Sequence, residues 1–206
     1  MDDSGYPTAI NGMIDGFRVI RALGSKSPAG TLLVRRSDSS EAAVLKFTSP
    51  QSSEKEALHR VEHAGVCQLL KAGTIEDHHY LLLSYYGQQT LMDRVEQGIP
   101  ISELTRIFLQ IAGALDALHQ QGYAHGDLRP EHVLIKSNGQ PVLIDLGSAY
   151  RTDEDDTPVS ADRSGSPAYL SPERIQAASS TVAHQETARS GAGDYYALGV
   201  IAFQLL

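Results

Sequence analysis

His125-Gly126-Asp127-Leu128-Arg129-Pro130-Glu131-His132 is the stretch that decides the fold, together with Asp145-Leu146-Gly147 downstream of it. Between the two lie a pair of short apolar runs, Val133-Leu134-Ile135 and Val142-Leu143-Ile144, on either side of Asn138-Gly139. Asn-Gly between two strand-forming runs is the strongest short hairpin signal a sequence carries. The hairpin therefore fixes the separation of two aspartates at strand ends. Carboxylates held that way can divide the work at a phosphate. Asp127 can orient a hydroxyl nucleophile, and Asp145 can hold a divalent metal against a nucleotide's phosphates.

Before the loop, Leu104, Ile107, Phe108, Ile111, Leu115 and Leu118 recur at three- and four-residue steps. This spacing predicts an amphipathic helix, with Ser102 placed to cap it and Gly122 to end it. The first part of the chain reads differently. Residues 1–15 are polar and irregular, a loose arm. Residues 17–23, 31–36 and 42–47 read as strands, and 69–75 with 80–83 as a strand pair about a polar turn. Ser53-Glu54-Lys55-Glu56 resembles a capping box that opens a helix, with Leu58 and Val61 on its apolar face. The acidic run Asp153-Glu154-Asp155-Asp156 and the Ser/Ala-rich stretch 176–193 read as loops. Residues 195–206 are almost wholly apolar, which predicts a buried helix cut short at residue 206.

Composition narrows the class. The 206 residues are 41% apolar and 20% charged, which suits a globular chain able to bury a sizeable core. A formal net charge of −8 argues against nucleic acid or an anionic membrane as the main partner. No apolar run is long enough to span a bilayer, and no signal peptide is evident. The single cysteine, Cys67, can form no internal disulfide. This predicts a reducing compartment and a cytoplasmic location.

With these segments in order, the chain resembles the eukaryotic-like Ser/Thr protein kinases, whose catalytic loop reads H-R-D-x-x-x-x-N and whose metal loop reads D-F-G. The resemblance implies an α+β, bilobal fold. An antiparallel five-stranded N-lobe with one helix would occupy 16–86, and a mainly helical, incomplete C-lobe would occupy 87–206. Ala43-Val44-Leu45-Lys46 resembles V-A-I-K and puts Lys46 at the α- and β-phosphates. Glu54 is then its helix carboxylate, with Glu56 as competitor. Residues 23–30, with Gly24 and Gly30, take the place of the glycine-rich phosphate cover. Ser84 and Tyr86 take that of the main-chain groups that meet adenine. Asp127 would accept the substrate hydroxyl, Arg129 would replace the usual lysine beside the transferred phosphoryl, and Asp145 would bind metal. Gly165-Ser166-Pro167-Ala168-Tyr169-Leu170-Ser171-Pro172-Glu173 resembles the end of an activation segment, with Ser166 at the hydroxyl position of Ser/Thr kinases. Small-molecule phosphotransferases with an H-G-D loop are not expected to carry it. Asp194 matches a helix aspartate that braces the catalytic loop.

The implied reaction is transfer of the ATP γ-phosphoryl to a Ser or Thr hydroxyl of a protein substrate, with ATP and Mg2+ as cofactors. His132 departs from the pattern, because it stands where the family has a metal-binding Asn. Imidazole suits softer ions than magnesium, so the second metal site would be weak or would prefer Mn2+. Gly126 replaces the arginine that commonly pairs with a phosphorylated activation loop. Two rival readings follow. One is a pseudokinase that binds nucleotide or serves as a scaffold. The other, more remote, is a zinc peptidase, since His59-Arg60-Val61-Glu62-His63 fits H-x-x-E-H.

Overall fold

The computed structural model describes residues 12–23, 30–50, 52–153, 166–177 and 190–205. The chain divides into two compact units. One joins Met1–Lys55 to Gln68–Tyr85, and the other joins Glu56–Cys67 to Tyr86–Leu206. Gly24, Gly165, Glu154 to Asp156 and most of the Ser/Ala-rich stretch lie outside the described residues.

The first unit is an antiparallel sheet of β1 (Met13–Ile14), β2 (Phe17–Ala22), β3 (Thr31–Arg36), β4 (Ala42–Thr48), β5 (Leu69–Ile75) and β6 (His78–Ser84). Their order is β1-β2-β3-β4-β6-β5. The five strands read from sequence are thus joined by a short edge strand. Asp15 and Gly16, both at positive φ, turn the chain so that Met13 pairs with Arg18 and Ile14 with Phe17. Residues 13–15 are therefore not loose arm, because Ile14 is buried in the sheet's core with Val19, Leu32, Val34, Tyr80 and Leu82. Strand side chains alternate between faces. In β4 this buries Ala43, Leu45 and Phe47 and turns Val44 and Lys46 to the opposite face.

Helix α1 (Glu54–Arg60) has only two turns. Ser52, rather than Ser53, supplies the hydroxyl that accepts the Glu54 N–H, at 3.2 Å. Glu56 is not the second half of a capping box. It pairs with Arg60 one turn on, at 2.7 Å.

In the second unit, α2 (Leu91–Glu96) is closed by a reciprocal pair of bonds between Thr90 and Asp93. Helix α3 (Ile101–Gln120) buries Leu104, Ile107, Ile111, Ala114, Leu115 and Leu118, and Phe108 lies half-buried at the edge of that stripe. Ser102 does not cap it. The first turn closes on the carbonyl of Pro100, which takes the N–H groups of Glu103 and Leu104, so the helix starts two residues earlier than a Ser102 cap would allow. Proline's fixed φ suits that position, and its missing N–H costs nothing at a helix start. Gly122, at φ +76°, ends the helix as predicted.

Two small ladders follow: β7 (Tyr123–Ala124) pairs with β10 (Tyr150–Arg151), and β8 (Val133–Ile135) pairs with β9 (Pro141–Leu143). The β8–β9 hairpin forms around Asn138-Gly139, but with a longer loop than a two-residue turn. Gly139 N–H reaches the Lys136 carbonyl and takes φ +78°, while Asn138 keeps a negative φ. This is a type I turn followed by a left-handed glycine, the usual geometry of three-residue hairpin loops. Helix α3 packs on β7, on β9 and on α5 (Ala192–Leu205); α4 (Pro172–Ala177) lies between the activation-segment residues and α5 in sequence. Among the described residues no helix is long and apolar enough to cross a membrane.

Candidate active site

In the first unit, Lys46 Nζ meets Glu54 Oε1 at 2.6 Å. Glu54 is 1% exposed, so this is a buried carboxylate held against a partly covered ammonium. The pair spans only eight positions because Glu54 is the first residue of α1; the helix begins where its carboxylate is needed. Glu56 lies instead against Arg60 and, at 3.7 Å, Arg151. Gly30 accepts the Phe47 N–H through its carbonyl. The Ser84 N–H is taken by the Gln68 carbonyl at 3.0 Å.

The second unit carries the loop after β7. Its anchor is Asp194, 2% exposed on α5. Asp194 Oδ2 accepts the His125 N–H at 2.8 Å and lies 2.8 Å from His119 Nε2, while Oδ1 accepts the Gly126 N–H at 3.0 Å. Burial alone would raise the Asp194 carboxyl. The His119 hydrogen bond, the His125 ring and the two backbone N–H groups outweigh it and hold the carboxyl below the ordinary range. His125 is fully buried, and burial drives its imidazole below the ordinary histidine value against the pull of Asp194. Its Nε2 reaches the Ile144 carbonyl at 3.1 Å, and its Nδ1 accepts the Asp127 N–H at 3.4 Å. His125 is thus a strut between the two aspartate-bearing segments.

Asp127 and Asp145 meet at His132. A 3₁₀ turn over Pro130–His132 presents the His132 ring, 9% exposed, to both. Nδ1 lies 2.7 Å from the Asp127 carbonyl and 3.4 Å from Asp127 Oδ2; Nε2 lies 3.4 Å from Asp145 Oδ2. A carbonyl can only accept, so Nδ1 carries a proton, and a ring with no second proton turns an Nε2 lone pair toward Asp145. Two acceptors then face each other, an arrangement that becomes attractive with a cation or a proton between them. Asp145 takes a left-handed conformation, φ 60° and ψ 67°, and its own side chain accepts the Gly147 N–H. Asp127 Oδ1 accepts the Ser166 N–H at 3.0 Å, which ties the activation-segment end to the loop.

Of the remaining candidates in this unit, Arg129 places its Nε 3.6 Å from Glu131 Oε2. The Tyr86 ring lies under Lys136 Nζ, 5.1 Å from the ring centre. His119 and Arg174 are parts of the site that sequence reasoning missed. His119 offered a signal, a histidine at the last turn of a helix leading into the loop. Arg174 offered none, since a charge next to Pro172-Glu173 reads as solvated. The zinc reading loses its geometry. α1 ends at Arg60, so His59 and His63 do not share a helix face, and His63 Nδ1 accepts the Gly65 N–H at 3.1 Å. Among the described residues no group of three or more His, Cys, Asp or Glu side chains is placed to hold a metal ion.

A curled antiparallel sheet with a lysine–glutamate pair, followed by a unit whose catalytic-type loop is hung from a helix aspartate, defines a protein kinase domain. Residues 18–206 match the protein kinase domain family, and the chain belongs to it. It is 30% identical over 207 aligned positions to the serine/threonine-protein kinase MRCK gamma of Homo sapiens, covering 93% of this chain and 13% of that protein. It is 28% identical to a probable serine/threonine-protein kinase PknB of Lactococcus lactis, covering 89% of this chain and 28% of that protein. The chain therefore spans only a minor part of the length of these relatives. Among solved structures, the Cydia pomonella granulovirus kinase PK-1 shares the fold with a TM-score of 0.74 at 19% identity, over 93% of this chain and 68% of that one. Protein kinases as a family use ATP and Mg2+.

Proposed function

We propose that this chain is an ATP-dependent protein serine/threonine kinase, with residues 16–86 as the lobe that covers nucleotide and 87–206 as the lobe that holds substrate. The observation that carries it is the convergence of Asp127 and Asp145 on one side chain, His132. Phosphoryl transfer asks little covalent chemistry of a protein, so positioning and charge account for most of the rate. Asp127 would accept the hydrogen bond of a Ser or Thr hydroxyl, with its loop fixed by Asp194. Lys46, held by Glu54, would meet the nucleotide phosphates, Gly24 and Gly30 would lie in the loop over them, and Ser84 and Tyr86 would offer main-chain groups to adenine. Arg129 would face the transferred phosphoryl. A cytoplasmic protein substrate fits the composition.

The donor set fits a divalent ion with mixed preference. Asp145 offers an oxygen and His132 a nitrogen, and in nucleotide sites the phosphates and water commonly supply the other ligands. An imidazole ligand favours Mn2+ over Mg2+. Such an ion, when bound, neutralises charge on the phosphates.

Label from γ-32P-ATP should pass to a basic protein substrate in the presence of Mn2+ or Mg2+ and be abolished by Asp127→Asn and by Lys46→Met. The His132 geometry also favours a second reading, a nucleotide-binding pseudokinase, because the ring occupies the space between the two carboxylates. A wild type that binds ATP, seen as a rise in melting temperature, yet transfers no more label than Lys46→Met would replace the kinase with that scaffold.

A further inference from the structure

We propose that Arg174 is a positioning residue for the catalytic loop, bracing through the Gly126 carbonyl a position that can carry no side chain of its own. Gly126 takes φ +80°, and a Cβ there would lie 2.4 Å from the Ser148 carbonyl oxygen and 3.2 Å from Tyr150 Cδ1. The backbone of the Asp145-Leu146-Gly147-Ser148 turn already fills that space. Glycine meets the conformational demand, but it leaves the loop one residue before Asp127 with more freedom than any other residue would.

Two groups restrain it from either end. Its N–H is held by Asp194 Oδ1 at 3.0 Å, and its carbonyl accepts from Arg174 Nη1 at 2.7 Å. The carbonyl belongs to the peptide whose N–H is that of Asp127, so Arg174 fixes the plane from which the Asp127 side chain departs. Arg174 is 7% exposed, and its guanidinium covers the Tyr150 ring at 5.2 Å. A guanidinium is costly to bury without acceptors, so an aliphatic side chain would serve better if filling space were the only task. Its stem reaches the loop across Gly193 of α5, where a Cβ would lie 3.2 Å from Arg174 Cδ and 3.4 Å from Ser171 Oγ. Gly126, Arg174 and Gly193 thus form one interlocked set, in which two residues lack side chains so that a third can reach the loop. The brace starts on α4, directly after the activation segment, and so links the substrate side of the unit to Asp127.

The inference rests on the phosphotransfer reading for its kinetic arm only. Arg174→Met keeps the stem over Gly193 and removes the donors, while Arg174→Lys keeps one donor. In the whole chain, kcat and KM for ATP are measured for both, along with the 13C resonance of the Gly126 carbonyl. Arg174→Met should lower kcat by ~10²-fold, the scale of a small misplacement of a reacting group, with KM for ATP unchanged. It should also move the Gly126 carbonyl upfield as the hydrogen bond is lost. Arg174→Lys should fall between wild type and Met in both readouts. A Gly126 resonance that stays put in Arg174→Met overturns the brace, as does a kcat equal to wild type. If wild type transfers no phosphate, the phosphotransfer reading alone fails, and the carbonyl resonance still decides the brace. Should Arg174→Met fail to fold, Arg174→Leu, which also lacks donors, decides, and a wild-type Gly126 resonance in it counts against the proposal.

Discussion

Asp194→Asn keeps the shape of the side chain that suspends the catalytic loop while removing its charge and one acceptor. In the wild type, Oδ2 serves His119 Nε2 and the His125 N–H, both at 2.8 Å, and Oδ1 serves the Gly126 N–H at 3.0 Å. An amide has one oxygen. If that oxygen keeps the Oδ2 position, the amide NH2 faces the Gly126 N–H, and a buried donor goes unmet at ~1–3 kcal/mol. The two bonds that survive fall from charge-assisted to neutral strength, a loss of about 1 kcal/mol each. The total is about 3–5 kcal/mol, a large share of the ~5–15 kcal/mol by which domains are stable.

Urea unfolding of both proteins at neutral pH measures it as a drop in midpoint at constant slope. Acid supplies an independent check. The folded Asp194 carboxyl titrates below its unfolded value of roughly 3.9, so its stabilisation is complete above that pH and is lost as pH falls through the folded value. The gap between wild type and Asp194→Asn should therefore narrow only in strong acid. His125, also depressed by burial, loses its contribution in a separate window that opens below roughly 6.5. A destabilisation under ~1 kcal/mol at neutral pH, or a gap that does not change below roughly pH 4, would refute the view that this carboxylate suspends the loop.

Two further outcomes follow from single residues. Gly126→Arg, which puts the family's usual residue back into the loop, should destabilise the fold by about 2–4 kcal/mol, because left-handed φ and a backbone clash add; the same urea assay checks it, and a neutral result would mean that the loop and the Ser148 carbonyl can part freely. His132→Asn should invert the metal preference of ATP binding: where wild type gains about 3–5 °C more in melting temperature with Mn2+ than with Mg2+ for a tenfold affinity difference, the variant should favour Mg2+, and an identical ranking in both proteins would remove His132 from the metal site.

How much was legible beforehand differs from one element to another. The α3 stripe, the β4 alternation that turns Lys46 away from the core and the hairpin between the two aspartates all depend on near neighbours, and each formed where the sequence puts it. Helix starts were less legible. Ser53 and Ser102 have the right residue type to cap, yet Ser52 and the Pro100 carbonyl take those roles, since a cap depends on the local path of the chain as much as on chemistry. The edge strand at Met13–Ile14 was hidden because two residues carry no period; only the pairing with β2 and the burial of Ile14 reveal it.

Local order along the chain determined the family and the set of polar groups worth watching: a lysine on a strand, two aspartates flanking a hairpin, and a histidine where an asparagine is usual. Tertiary structure alone decided what those groups touch. That Glu54 meets Lys46 from the first residue of its helix, that one imidazole lies between two carboxylates, and that a buried arginine holds the peptide before Asp127 are facts of distance in space, which the order of residues does not give. Residue type sets what a side chain can donate or accept, but packing selects its partner, because a buried polar group must pair with whatever the fold brings within reach.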